Sequence, residues 1–294
     1  MKVQHLLRLY EQGHRDFTEF DLSGADLSGV KLIGVNLRKA NLVGANLSRA
    51  FLTKSDLSEA LLNWANLSYA KMNETKLTET NLTKANLTGA FMVKAKLPRA
   101  AMSGAIIVAT NMRSANLWGA NLCGANLQRS NLRQANLSGV NLSWANLCEA
   151  RLTGAKLYGA SLNGVNLSRT FLKELDLSGA NLEGVNLSEA RMNGSNFEGA
   201  NFHAANLRDA RLRRVNLKGA DLTGATLLDA VLEEANLTGA VLTRTDLRDA
   251  DLTNAILTGT SLENRDWGER NELNPPNANG NGHEHGFRLN LMAG

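Results

Sequence analysis

A chain of 294 residues, 43% of them hydrophobic, has enough apolar material for a continuous core, but only 5% are aromatic. A core built mainly on Phe, Tyr and Trp is therefore excluded, and Leu and Ala must fill the interior. The formal charge of +4 does not demand a nucleic acid, and the two cysteines, Cys123 and Cys148, are too few for a disulfide framework. No apolar run reaches the roughly 18 residues of a membrane span, and no apolar segment runs into a small-residue cleavage site; the expected setting is the cytoplasm, without membrane contact.

Residues 1–14 read as an N-terminal capping segment, with Val3, Leu6, Leu7 and Tyr10 at helical spacing. From Phe17 onward every fifth residue, through Leu262, is Leu, Phe, Met or Ile, and the register never slips. Two residues before each centre stands a small residue, as at Ala40 and Ala45, with Asn or Asp between, as at Asn41 and Asn46. Small–polar–large is the alternation of a strand, in which the first and third side chains point one way and the middle one the other. A helix cannot use it: five residues advance a 3.6-residue helix by about 500°, so the leucines would spiral around all sides. The two residues after each centre are Ser, Thr, Gly or charged types suited to a corner, with glycines such as Gly24 able to take positive φ. A short strand and a corner, repeated with the same side chains inward, winds into a solenoid.

The coil length can be read from oddities that recur in one column. Met72, Met92, Met112 and Met192 are separated by multiples of 20, which gives four pentapeptides per coil and a square cross-section. About 12 coils at a strand spacing of about 4.8 Å make a rod about 60 Å long, right-handed by the usual crossover preference. Leu175 stands where Ala is usual, with Ala155 and Ser195 expected above and below it. Residues 15–267 form this array. After Trp267 the Asn-, Gly- and Pro-containing segment 268–294 reads as a polar, disordered tail, in which Phe287, Leu289, Leu291 and Met292 are the residues able to fold back over the last coil.

The tandem unit, as in Ala40-Asn41-Leu42 and Ala45-Asn46-Leu47, resembles the pentapeptide repeat superfamily across residues 15–267. The resemblance implies an all-β, right-handed quadrilateral β-helix, the architecture that the periodicity reaches independently. The opening Leu6 to Phe17 is similar to the short capping segment of many cyanobacterial members.

Catalysis needs a base, nucleophile or metal cluster in a concave pocket, and a filled narrow rod provides none. His203 reads as a solvated side chain. His283-Glu284-His285 lies in the tail without a further fixed ligand. The expectation is a protein that is not an enzyme and takes no cofactor, metal or small-molecule substrate.

Charge distribution is more informative. Three of the four faces carry mostly Asn or Asp at the outward middle position; the fourth reads Lys31, Phe51, Lys71, Phe91, Asn111, Asn131, Arg151, Phe171, Arg191, Arg211, Val231, Asp251. Its corners add further basic residues, Arg213 and Arg214 among them, which leaves this face positive while the rest of the chain is slightly negative. Two readings stand: lateral packing of Phe rings and Lys or Arg stems along a flat sheet, or a docking face. On the second, Lys31, Phe51, Lys71, Phe91, Arg151, Phe171, Arg191, Arg211, Arg213 and Arg214 are the candidate protein-binding residues of a scaffold or regulatory adaptor, and the partner is a protein with an acidic surface. The rivals are nucleic-acid binding by the basic face and the DNA mimicry of topoisomerase-directed pentapeptide proteins, which the resemblance associates with an acidic rod that this chain lacks. Trp64, Tyr69, Trp118, Trp144 and Tyr158 form a second set of outward aromatics at corners.

Overall fold

In the computed structural model, which describes residues 3–262, the backbone winds as a right-handed quadrilateral β-helix behind one helix, α1 (Val3–Glu11). The coil is set by parallel bridges between residues 20 apart, such as Lys31 to Phe51, Phe51 to Lys71 and Asn46 to Asn66. Within a repeat, the N–H of Leu42 donates to the Leu61 carbonyl (2.7 Å) and that of Gly44 to the Asn63 carbonyl (3.0 Å), while the N–H of Ala45 closes the corner on the Leu42 carbonyl (3.0 Å). The second corner residue has left-handed φ whether it is Gly24 (61°), Trp64 (58°) or Glu149 (60°), the pattern of a type II turn. A glycine at every corner is therefore not required; the ladder holds larger residues in a conformation that costs an isolated residue about 1–2 kcal/mol.

The interior is filled. Phe17, Met72, Leu132 and Phe202 are wholly buried, as are the small residues between them, such as Ala45 and Ala125. Phe197 and Phe202 meet edge to face at 5.2 Å. Some hydroxyls that replace Ala bond a carbonyl of the coil below: Ser55 Oγ donates to the Leu32 carbonyl at 2.7 Å, and Thr110 Oγ1 to that of Leu87 at 2.7 Å. Ser130 Oγ is buried with no hydrogen-bond partner among the described residues.

Outside, Asn and Asp do two jobs. Asn46 Oδ1 accepts the N–H of Ser48 (3.2 Å), fixing the start of its own corner, while its Nδ2 donates to Asp26 Oδ1 one coil below (3.0 Å). This is why the middle position is so often Asn: the amide supplies both the acceptor and the donor that a stacked ladder needs. The same contacts hold aspartates ionised. The Thr18 hydroxyl and N–H keep Asp16 below the usual carboxylate range, and the hydroxyl and N–H of Ser28 do so for Asp26.

At the N-terminal end α1 lies against the first coil and buries Leu6, with Val3, Leu9 and Tyr10 packed on the core. The helical expectation holds, with Leu9 taking the inward role expected of Leu7. Arg15 lies over the Tyr10 ring (4.0 Å) and donates to the Tyr10 carbonyl, joining the cap to the solenoid. Trp267, the tail 268–294 and its His283-Glu284-His285 segment lie outside the described residues.

Two tests follow from these contacts. Ser130→Ala removes a buried hydroxyl without a partner and is expected to raise unfolding free energy by about 1 kcal/mol, whereas Ser55→Ala breaks an inward bond and is expected to lower it by a similar amount; chemical denaturation of both variants measures the opposed signs. Because Asp16 and Asp26 titrate below their unfolded value of about 3.9, their contribution is complete above that value and disappears as pH falls through the folded pKa. The melting temperature is accordingly expected to be insensitive to these groups near neutral pH and to fall below about pH 4, less steeply in Asp16→Asn/Asp26→Asn, which keeps the acceptors without the titration.

Candidate functional site

The period of 20 makes the fourth face a single column of neighbours, with bridges running without a break from Lys31 through Phe51, Lys71, Phe91, Asn111, Asn131, Arg151, Phe171, Arg191 and Arg211 to Val231 and Asp251. Each outward side chain therefore sits one strand spacing, about 4.8 Å, from the next. Lys71 Nζ lies 3.4 Å from the centroid of the Phe91 ring. Phe171 is flanked on both sides, with the guanidinium carbon of Arg191 at 4.7 Å and that of Arg151 at 5.9 Å. Cation–π attraction holds these cations over the rings, yet Phe51 and Phe91 remain 36% and 38% exposed. Lateral packing and surface presentation thus coexist on this face.

Arg213 and Arg214 have a different environment. Arg213 reaches Glu233 at 3.0 Å and Glu234 at 3.1 Å, and Arg214 Nε meets Glu234 at 2.6 Å, which raises the Arg214 pKa and lowers that of Glu234. Both arginines have local carboxylate partners, one coil away, that sequence spacing alone did not couple to them. By contrast, no ion pair among the described residues engages Lys31, Lys71, Arg151, Arg191 or Arg211. The positive field of the face is consequently concentrated between Lys31 and Arg211.

A shallow hollow interrupts the flat face where the Arg151, Phe171 and Arg191 column meets the adjoining corner, which carries Arg129, Glu149, Arg169 and Glu189. Along that corner the charges alternate coil by coil: Arg129 Nε bonds Glu149 at 2.9 Å, and Arg169 is bidentate on Glu189 through Nε and Nη2. The hollow therefore has a neutralised rim on one side and two cations around an aromatic ring on the other.

The second aromatic set does not converge. Trp64 and Trp144 share one corner four coils apart, Trp118 and Tyr158 share another, and Tyr69 stands on a third. Trp144 lies over Gly164, where an added Cβ would run into its ring, and Tyr69 covers Gly89 in the same way. These rings shield bare corners. Cys123 and Cys148 remain free thiols, and His203 stands 3.7 Å from Glu183 on the surface.

Comparison with known proteins gives matches throughout the solenoid. The family described as pentapeptide repeats matches residues 21–59, 60–97, 105–143, 115–154, 135–174, 195–233 and 227–264, and a second pentapeptide-repeat family matches 168–211. Among solved structures, HetL, a pentapeptide repeat protein involved in heterocyst differentiation regulation from the cyanobacterium Nostoc sp. strain PCC 7120, is 30% identical, with 89% of this chain and 95% of that one covered and a TM-score of 0.35. A trypsin-treated form of QnrB1, a plasmid-mediated fluoroquinolone resistance protein, is 17% identical, with 82% and 88% covered and a TM-score of 0.33. A pentapeptide repeat protein of the Arabidopsis thaliana thylakoid lumen is 26% identical, with 32% of this chain and 61% of that one covered and a TM-score of 0.23. No curated protein matches the chain.

The pairs that tie down Arg213 and Arg214 are exposed, so they stabilise weakly. Arg214→Ala is expected to leave the midpoint of thermal or chemical unfolding nearly unchanged, with any difference shrinking further at high salt.

Proposed function

The chain belongs to the pentapeptide repeat family, and on that premise we propose that it is a non-catalytic scaffold or regulatory adaptor of the cytoplasm, which docks an acidic protein surface on the face running from Lys31 to Arg211. The observation that carries the reading is the substitution pattern of that face. Elsewhere the outward position is mostly Asn or Asp, and the double hydrogen bond of Asn serves the fold, as in Asn66 Nδ2 to Asn46 Oδ1 at 3.2 Å. On this face Lys, Arg and Phe forgo that bond at eight positions, from Lys31 to Arg211, leaving cations that have no carboxylate partner among the described residues beside exposed rings. Aromatic and Arg side chains on a rigid surface are the residues that dominate protein–protein binding energy.

Rigidity supports the same reading. A surface held by a hydrogen-bond ladder loses little conformational entropy on docking, so modest contacts suffice. The filled interior, with core side chains such as Leu52 and Leu132 wholly buried, suits presentation of a surface over enclosure of a substrate. DNA mimicry would require an acidic rod, and the outward faces here are carpeted with neutral amides. For nucleic acid, the cations are few and spread along a rod about 60 Å long.

The test exploits the fold's own alternative. Phe51, Phe91 and Phe171 replaced together by Asn puts the ladder residue of the other faces in their place, so the solenoid should persist by circular dichroism. Affinity capture from the native cell is expected to lose at least one acidic partner relative to the wild-type bait; an unchanged partner set would overturn the docking face. Retention on immobilised DNA that depends on Arg191 and Arg211 would favour the nucleic-acid reading instead.

A further inference from the structure

Among the described residues, one interior coil interface loses its bridges on two adjoining faces. The coil of residues 155–174 keeps its strand bonds to the coil before it, with Lys156 N–H donating to the Ala135 carbonyl and Ser161 N–H to that of Val140, both at 2.9 Å, although the corner bond from Gly154 N–H to Lys173 is missing. The next coil, 175–194, is likewise bonded to its successor, with Leu177 N–H on Asn196 (2.8 Å) and Leu182 N–H on Asn201 (2.7 Å). Between the two coils, however, the bridges Lys156 to Asp176 and Ser161 to Asn181 are absent. So are the bonds that the N–H groups of Leu157, Gly159, Leu162 and Gly164 would make to the coil above. The core opens with them: Ala155 and Leu157 are 8% and 6% exposed, against 0% for Ala135 and Leu137 one coil below.

One side chain at this interface is oversized for its column. Leu175 sits in the column of small residues between Ala155 and Ser195, and Leu is three heavy atoms larger than Ala. Val is tolerated in this column, since Val215 is buried with the Asn236 N–H bonded to its carbonyl at 2.9 Å. Ser195 is not the cause. Its hydroxyl accepts the N–H of Leu175 (3.2 Å) and donates to Leu172 (2.6 Å), the arrangement that Ser55 makes with Val35 and Leu32, where the ladder stays whole. Overpacking in a close-packed column is relieved by separating the strands that the column spaces.

The gap has a direction. The faces of Lys156 and Ser161 are unpaired, while Asn166 to Asn186 and Phe171 to Arg191 remain bridged. In a four-sided coil the corner between the two open faces, at Tyr158 and Gly159, is diagonal to the corner between the two closed ones, at Arg169. That closed corner is the neutralised rim of the hollow beside Arg151, Phe171 and Arg191. Deepening the docking reading above, on which its second part rests, we propose that Leu175 is a wedge that makes this coil interface a flexible joint, with the hollow on its inner side. There an acidic protein segment bearing an apolar residue is received, carboxylates on Arg151 and Arg191 and the apolar side chain on Phe171.

The joint is tested on the full chain without any partner. By site-resolved hydrogen exchange, the amides of Leu157, Gly159, Leu162 and Gly164 are expected to exchange at least ~100-fold faster than those of Leu137, Gly139, Leu142 and Trp144 one coil below, because only the former lack ladder bonds. Leu175→Ala and, independently, Leu175→Val should slow them toward the lower coil's rates. Equal protection in the wild type, or no change in a folded variant, overturns the wedge. The receiving site is tested with two synthetic peptides, Phe alternating with Glu and Phe alternating with Lys. The acidic peptide is expected to bind, to weaken about tenfold or more in Arg151→Ala/Arg191→Ala, and to change affinity in Leu175→Ala. Equal binding of both peptides, or no binding of either, removes the acidic-segment assignment while leaving the capture result with the Phe variants to decide the wider docking face.

Discussion

The parallel hydrogen bond between residues 20 apart is the constraint on which everything else in this solenoid depends. Each coil must return to the same place one strand spacing higher, so each corner must turn through a similar angle. The second corner residue is consequently driven into the left-handed region even where it is Trp64 or Glu149. The energetic cost at many corners is offset because the ladder bonds on either side of a corner cannot form otherwise. The interior then has room for one large and one small side chain per repeat, which is why Leu and Ala alternate so strictly inward.

The same constraint explains the surface. An outward residue stacked about 4.8 Å from its copies above and below gains by hydrogen-bonding along the column, and Asn does so while also fixing its own turn. Positions that depart from Asn give up that contribution. On the face of Lys31 to Arg211 the departures are consistent in chemistry, cations and rings, and cation–π contacts replace only part of what the amide ladder supplied. At Arg213 and Arg214 the departure is answered locally by Glu233 and Glu234. A face can therefore be divided into stretches that serve the fold and stretches with unanswered charge.

Most of this organisation was legible from periodicity. The five-residue repeat assigns Leu22 or Leu132 to the core, and the column of Met72, Met92 and Met112 sets the coil. Leu175 was visible as an irregularity, but not the broken bridges at Lys156 and Ser161, because the response of a packed column to extra volume depends on which corner yields. The exchange of Leu7 for Leu9 under the cap is of the same kind: both fit a helical stripe, and the angle at which α1 meets the first coil selects between them.

Strict repetition along the chain sets the register, the inward set and the unequal sides, because it leaves a single way to bury the same side chains in every coil. Tertiary structure alone decided which charges are answered. Arg129 with Glu149 and Arg169 with Glu189 neutralise one corner, while Arg151 and Arg191 face a ring. That distinction rests on side-chain reach across coils, a matter of a few ångströms in three dimensions that a one-dimensional period does not contain. So does the opening beside Leu175, where the sum of local fits fails and one interface takes up the difference.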